Sequence, residues 1–142
     1  MVYFDTSYLV RLYTKDVGWE KVRALAKTDS IACCIHGHAE SVAAFHRKFR
    51  EGGLSQKGLE TLLAEFEKDS DAGAYRWLPL SPAVVARVAL TFAKLPTVVA
   101  LRAADAIHLA CAAERGFTKM YSNDSRLLTA AAYFGLTGEN LI

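Results

Sequence analysis

Cysteine is scarce in this 142-residue sequence, and the cysteines that are present exclude two kinds of site. There are three of them, an odd number, and Cys33 and Cys34 are adjacent. Neither a disulfide framework nor a Cys-x-x-Cys zinc site fits this pattern. We therefore expect a reducing compartment, most simply the cytoplasm.

The sequence also lacks a long uncharged apolar run. No segment approaches the roughly 18–20 residues that span a bilayer, and no basic segment followed by an apolar one stands at the N-terminus. We expect no membrane span and no secretory signal. A net charge of +2 is too small to indicate a nucleic-acid partner by itself. With 52% hydrophobic residues, the composition is that of a packed globule, and the length suits one domain, residues 1–142.

Short β-prone segments alternate with segments of helical periodicity. The predicted strands cover residues 2–4, 31–35, 75–80, 119–122 and 141–142. Four of the predicted helices begin after Asp5, Gly18, Ser55 and Ser81. The other three cover residues 36–50, 101–115 and 124–134. This alternation predicts an α/β fold with a parallel sheet between helices.

Four acidic residues stand where a packed α/β protein would more usually have small or apolar ones: Asp5, Glu40, Asp105 and Asp124. Asp105 is the clearest, because its neighbours in the predicted helix are nearly all core residues and acids are seldom buried unpaired. A structural alternative is a salt bridge to Arg102, three residues earlier. Asp5 and Asp124 each follow a strand and open a helix, so helix capping is the alternative for both. For Glu40 the alternative is an exposed acid in the first turn of a helix.

The carboxyl ends of parallel strands meet at one edge of a sheet, where ligands bind. Asp5 and Asp124 lie at that edge, and Glu40 follows the strand at 31–35. Carboxylates brought together repel one another strongly unless they are protonated or bind cations. Oxygen ligands suit Mg²⁺ or Mn²⁺, and such a site indicates metal-assisted hydrolysis of a phosphodiester.

Four short motifs contain these acids: Phe4-Asp5-Thr6-Ser7, Ala39-Glu40-Ser41, Arg102-Ala103-Ala104-Asp105-Ala106-Ile107-His108 and Ser122-Asn123-Asp124-Ser125-Arg126. In this order they resemble the acidic motifs of PIN-domain nucleases, in particular VapC-type ribonuclease toxins. The resemblance implies a PIN-like three-layer sandwich, in which helices flank a central, mostly parallel sheet. It also implies that the four acids hold Mg²⁺ or Mn²⁺, that hydroxyls of Thr6, Ser7 and Ser122 line the site, and that the partners are RNA, a cognate VapB-like antitoxin and a second copy of the chain.

Other residues near these motifs have weaker functional interpretations. Arg11, Arg102 and Arg126 are candidates for phosphate contacts with a substrate. The basic run at 46–50 is either a track for RNA or a solvated helix end. We interpret His36 and His38 as loop or cap residues, and His108 as a core histidine with a satisfied hydrogen bond.

Two other functions fit part of the pattern. A haloacid-dehalogenase-type phosphatase also begins with an aspartate after its first strand, but it needs a second Asp two positions later, where this chain has Ser7. A PIN-like module that binds RNA without cutting it is the non-enzymatic alternative.

Overall fold

The computed structural model describes all of residues 1–142, in which five strands alternate with seven helices. The strands are β1 (Val2–Tyr3), β2 (Ile31–Cys34), β3 (Tyr75–Leu78), β4 (Lys119–Tyr121) and β5 (Thr137–Glu139). The helices are α1 (Thr6–Arg11), α2 (Trp19–Ala26), α3 (His36–Arg50), α4 (Gln56–Asp71), α5 (Pro82–Phe92), α6 (Ala103–Glu114) and α7 (Ser125–Ala130). No helix is long and apolar enough to cross a membrane.

All strand pairs are parallel. Strands β1, β2 and β3 form one ladder, in which Val2 is in register with Ile31. Strands β4 and β5 form a second ladder. A parallel bridge between Phe4 and Tyr121 joins the two, which gives the order β3-β2-β1-β4-β5. The carboxyl ends of β1, β2 and β4 therefore share one edge, as the sequence pattern predicts.

Helices cover both faces of this sheet, because side chains alternate along each strand. Tyr3 and Cys34 belong to a core that includes residues of α5 and α6. Phe4 and Cys33 belong to a second core with residues of α1, α3 and α4. The predicted three-layer α/β sandwich is confirmed.

The predicted strand at 141–142 is wrong, because the last strand is β5. The amide N–H of Thr137 donates to the Thr118 carbonyl, which starts the pairing with β4 three residues after the preceding helical turn ends at Phe134. Beyond β5 the chain leaves the sheet, and the Leu141 N–H donates to Tyr8 Oη at 2.7 Å. The sequence of β5, Thr-Gly-Glu, has no β-prone pattern. A Cβ on Gly138 would lie 3.1 Å from Leu128 Cα, so a larger residue there would crowd α7.

Several element ends also differ from the prediction. The helix predicted at 124–134 is divided into α7 and a 3₁₀ turn over Ala131–Phe134. The strands predicted at 31–35 and 75–80 end at Cys34 and Leu78. Such differences of one or two residues are ordinary at element ends.

The packing of α4 yields a stability prediction. Phe66 is fully buried among aromatic rings, whereas Phe92 of α5 is 39% exposed. Replacing Phe66 by Ala removes a large buried side chain and should lower the free energy of unfolding by about 3–5 kcal/mol. Urea denaturation of Phe66→Ala, with Phe92→Ala as the control, measures this difference. Equal losses in the two variants would contradict the assigned core.

Candidate active site

A cleft of about 1000 Å³ opens at the carboxyl edge of the sheet. All four predicted acids line it: Asp5, Glu40, Asp105 and Asp124. They come from four separate segments of the chain, at the ends of β1 and β4 and on α3 and α6. Thr6, Ser7, Arg11 and Arg102 also line the cleft. Predicted site residues that do not line it are Ser122 and Arg126.

Asp5 is 4% exposed and is held by three donors. Its Oδ1 accepts from the Tyr8 N–H at 3.1 Å, which caps α1, and from Ser7 Oγ at 2.7 Å. Its Oδ2 accepts from Ser122 Oγ. Burial raises the pKa of the Asp5 carboxyl, and these hydrogen bonds offset only part of that effect.

The two serines tie the β4–α7 loop to Asp5. The Asp124 N–H donates to Ser122 Oγ at 2.9 Å, and the Asn123 N–H donates to Ser7 Oγ at 2.9 Å. Ser122 is fully buried beneath the cleft. Its hydroxyl supports the Asp5 carboxylate from the interior, and the predicted role of Ser122 as a hydroxyl of the site stays a prediction.

Asp105 and Asp124 share one arginine. Arg102 Nε lies 2.9 Å from Asp105 Oδ2, and Arg102 Nη2 lies 3.3 Å from Asp124 Oδ2. The structural alternative for Asp105 is thus present, and so is that for Asp124, whose Oδ1 caps α7. The Arg102 side chain is 65% exposed, so this pairing is screened by solvent and contributes little to stability. Arg102 offsets part of the negative charge of the cleft without fixing the two acids rigidly.

Glu40 points toward histidines. Its Oε2 accepts from His108 Nε2 at 2.9 Å and from Thr6 Oγ1, and His36 Nε2 lies 3.5 Å away. Burial alone would raise the pKa of Glu40, but its contacts with His108 and Thr6 outweigh burial and lower that pKa to about 2. Glu40 is therefore a well-stabilised anion, unlike Asp5.

The structure confirms the sequence interpretation of His108 and corrects that of His36. His108 is 2% exposed and bonded to Tyr3, so its interpretation as a satisfied core histidine is confirmed. His36 begins α3 and packs on His108, with 4.2 Å between ring centroids, so it is neither a loop residue nor the N-cap of α3, which is Ile35. Its spacing of four residues from Glu40 on a helix is the sequence signal that could have located it.

The donor set fits a hard divalent ion, because it consists of carboxylate oxygens around one cleft. These acids are spread around the cleft wall. The three metal-ligating side chains whose ligand atoms all lie within 4.8 Å of one another are His36, Glu40 and His108.

The predicted substrate-binding arginines differ in position. Arg11 lines the cleft, but its guanidinium donates to the carbonyls of Ser7 at 2.7 Å and Val17 at 2.9 Å, and so holds the connection between α1 and α2. Arg126 contributes its backbone N–H to the capping of α7 by Asp124.

One known protein family and several solved structures resemble this chain. The sequence profile of the PIN domain matches residues 2–133. The chain belongs to the PIN-domain family. No curated protein sequence matches the chain significantly.

Several solved structures share the fold of this PIN domain. VapC20 from Mycobacterium tuberculosis, described as a toxin that cleaves the sarcin–ricin loop, superposes with a TM-score of 0.71 at 13% identity, covering 92% of this chain and 95% of that one. FitAcB from Neisseria gonorrhoeae gives 0.75 at 18% identity, covering 99% and 97%. VapBC2 from Rickettsia felis, bound to a promoter DNA fragment, gives 0.67 at 16% identity, covering 99% and 98%. At these identities the likeness establishes the fold alone.

The opposite environments of Asp5 and Glu40 predict opposite effects on stability. The pKa of Asp5 is raised in the folded protein, so its ionised form costs stability above its usual pKa of 3.8. The pKa of Glu40 is lowered from 4.5 to about 2, so its ionised form adds stability at neutral pH that is lost as pH falls toward 2. Asp5→Asn should therefore raise the melting temperature of metal-free protein at neutral pH, and Glu40→Gln should lower it.

Thermal unfolding in EDTA measures both effects. The advantage of Asp5→Asn should shrink at a pH below 3.8, where the unfolded wild-type carboxyl is also protonated. Melting shifts of the same sign for the two variants at neutral pH would contradict this electrostatic assignment.

Proposed function

We propose that this PIN domain is a metal-dependent endoribonuclease and the toxin of a toxin–antitoxin pair. The observation that carries the proposal is the cleft, where four carboxylates from four chain segments meet at the carboxyl edge of a parallel sheet. Carboxylates gathered around one cleft repel one another unless a cation lies among them. A protein keeps such a set where cations are to be bound, and family membership favours nuclease chemistry over a phosphatase.

Asp5, Asp105 and Asp124 are the proposed ligands of Mg²⁺ or Mn²⁺, and Glu40 is either a further ligand or the group that orients the attacking water. When bound, such an ion lowers the pKa of water to supply hydroxide and stabilises the leaving oxygen. Ser7 and Ser122 hold Asp5 in place throughout. Because this chemistry does not use the RNA 2′-hydroxyl, the products carry a 5′-phosphate and a 3′-hydroxyl.

A row of basic side chains supports RNA as the substrate. His46, Arg47 and Arg50 line the cleft along one face of α3 and are exposed. At 1.5 Å per residue, Arg50 lies about 15 Å along the helix axis from Glu40. Lys48 also lines the cleft but pairs with Asp16. The basic run is therefore continuous with the acidic site, as a path for phosphates that leads to a cleavage centre would be.

The likeness to VapBC and FitAB complexes supports an antitoxin partner. We propose a VapB-like antitoxin that covers the acidic cleft, a homodimeric assembly and a cytoplasmic location.

The cleavage proposal is tested with Asp5→Asn. The substitution removes one proposed ligand and should abolish cleavage of cellular RNA by purified protein in Mg²⁺ or Mn²⁺, with the fold retained. Asp71→Asn, at an exposed acid on α4 outside the cleft, is the matched control and should cut like wild type. Mass spectrometry of the fragments should show a 5′-phosphate.

Three results would reject the proposal. Full activity of Asp5→Asn would remove Asp5 from the site. A covalent aspartyl-phosphate would favour the phosphatase. Saturable RNA binding in Mg²⁺, with no cut product across varied RNAs, would favour the binding module.

The role of the α3 cations is tested through salt dependence. Each phosphate contact to single-stranded nucleic acid contributes about 0.7 to the slope of log K against log[salt]. In an Asp5→Asn background, Arg47→Ala with Arg50→Ala should reduce that slope by about 1.4 for a single-stranded RNA. Arg76→Ala with Arg115→Ala, at exposed arginines outside the cleft, is the matched control. An unchanged slope in the α3 variant would exclude these arginines from RNA binding.

A further inference from the structure

Three side chains form a line of hydrogen bonds from the core to the cleft. Tyr3 Oη lies 3.0 Å from His108 Nδ1, and His108 Nε2 lies 2.9 Å from Glu40 Oε2. Tyr3 is fully buried and His108 is 2% exposed, whereas Glu40 lines the cleft. The line thus connects a buried strand of the sheet to one of the four acids.

Donors and acceptors along this line assign the position of the histidine proton. Tyr3 Oη accepts from the Cys34 N–H at 3.1 Å, and its own hydroxyl hydrogen has His108 Nδ1 as its one hydrogen-bond partner. A buried hydroxyl that left its hydrogen unpaired would lose about 1–3 kcal/mol. Nδ1 is therefore the acceptor, and the proton of the neutral ring is on Nε2, which donates to Glu40.

We propose that His108 is a positioning residue for Glu40, and that Tyr3, which donates to Nδ1, and Glu40, which accepts from Nε2, together fix its tautomer. The inference rests on the proposed function in that Glu40 belongs to the proposed ion site. Thr6 Oγ1 donates to the same Oε2 oxygen, so two donors hold that oxygen from the interior side. Gly37 leaves room for this arrangement, because a Cβ there would lie 3.1 Å from His108 Cε1 and closer still to Cys33 Sγ.

The same atoms suggest a competing interpretation, in which His36, Glu40 and His108 bind a softer ion such as Zn²⁺. Two contacts oppose it. A metal on His108 Nε2 would require the ring proton on Nδ1, which would leave the Tyr3 hydroxyl without an acceptor. His36 Nε2 lies 3.1 Å from the Ala104 carbonyl, so its N–H is already engaged there. Both Nε2 atoms carry protons and offer no lone pair to a metal.

The first test is the tautomer of His108, read from ¹⁵N NMR of the imidazole nitrogens in metal-free wild-type protein at mildly alkaline pH. The expected spectrum shows Nε2 protonated and Nδ1 bare. In Tyr3→Phe the Nδ1 resonance should shift, because Nδ1 loses the hydroxyl that donates to it, while Glu40 still accepts from Nε2. A proton on Nδ1 in the wild type, or an unchanged spectrum in Tyr3→Phe, would overturn the inference.

The second test compares two substitutions of His108, each of which keeps a polar group near one of the two ring nitrogens. His108→Gln keeps an N–H donor near the position of Nε2, whereas His108→Asn keeps a polar group near Nδ1 but does not reach Glu40. Residues that orient metal ligands typically contribute 10–100-fold to metal affinity. His108→Asn should weaken Mn²⁺ binding, measured by electron paramagnetic resonance, by about 10–100-fold, and His108→Gln should restore most of it.

Controls separate this inference from the proposed function. His38→Asn, outside the cleft, should leave Mn²⁺ affinity unchanged, and thermal unfolding identifies any variant that fails to fold. Equal loss of Mn²⁺ affinity in the Gln and Asn variants would reduce His108 to a packing role and overturn the inference. Zn²⁺ bound stoichiometrically in wild type and lost in His36→Ala would establish the competing metal site. A wild-type protein with the expected tautomer and Mn²⁺ affinity that cuts no RNA would refute the nuclease and leave the positioning role standing.

Discussion

The geometry of the cleft depends on the hydrogen bonds that the buried Asp5 carboxylate accepts. The carboxylate accepts hydrogen bonds from the first turn of α1, from Ser7, and from Ser122 beyond β4, so one side chain joins two segments that are more than 100 residues apart in the chain. The hydroxyl of Ser122 in turn receives the Asp124 N–H. The positions of Asp5 and Asp124 are therefore coupled through a single buried serine.

This arrangement has an energetic cost. Burial raises the pKa of Asp5, which means that the folded protein disfavours the charge that the proposed ion site needs. Glu40, in contrast, is stabilised as an anion by His108 and Thr6. Burial thus dominates the pKa of Asp5, whereas hydrogen bonding dominates the pKa of Glu40. A bound cation would relieve Asp5 more than Glu40, because the protein alone compensates the charge of Asp5 less.

Most of the fold could be predicted from the sequence, because the alternation of β-prone and helical segments is strong and Asp5 and Asp124 fall where a strand ends and a helix begins. What could not be predicted depends on contacts that are distant in sequence. Strand β5 has no strand pattern and is defined by its pairing with β4, in which Lys119 is in register with Thr137. The second contact of Arg102, with Asp124, crosses 22 residues and no periodicity indicates it. Ser122 resembles a site hydroxyl in sequence, but only burial shows that it lies below the cleft.

The histidines show why pattern reasoning reaches the site only in part. His108 falls on the same helical face as Asp105, three residues away, and its neighbours suggest a core residue. It is one, yet its inner nitrogen faces Tyr3 while its outer nitrogen faces Glu40. The two ring nitrogens of a neutral histidine share one proton. A hydroxyl that donates to the buried nitrogen therefore leaves that proton on the other nitrogen. The imidazole ring thereby connects strand β1 to the cleft. One oxygen of the Glu40 carboxylate is held from the interior without any bound ion or substrate.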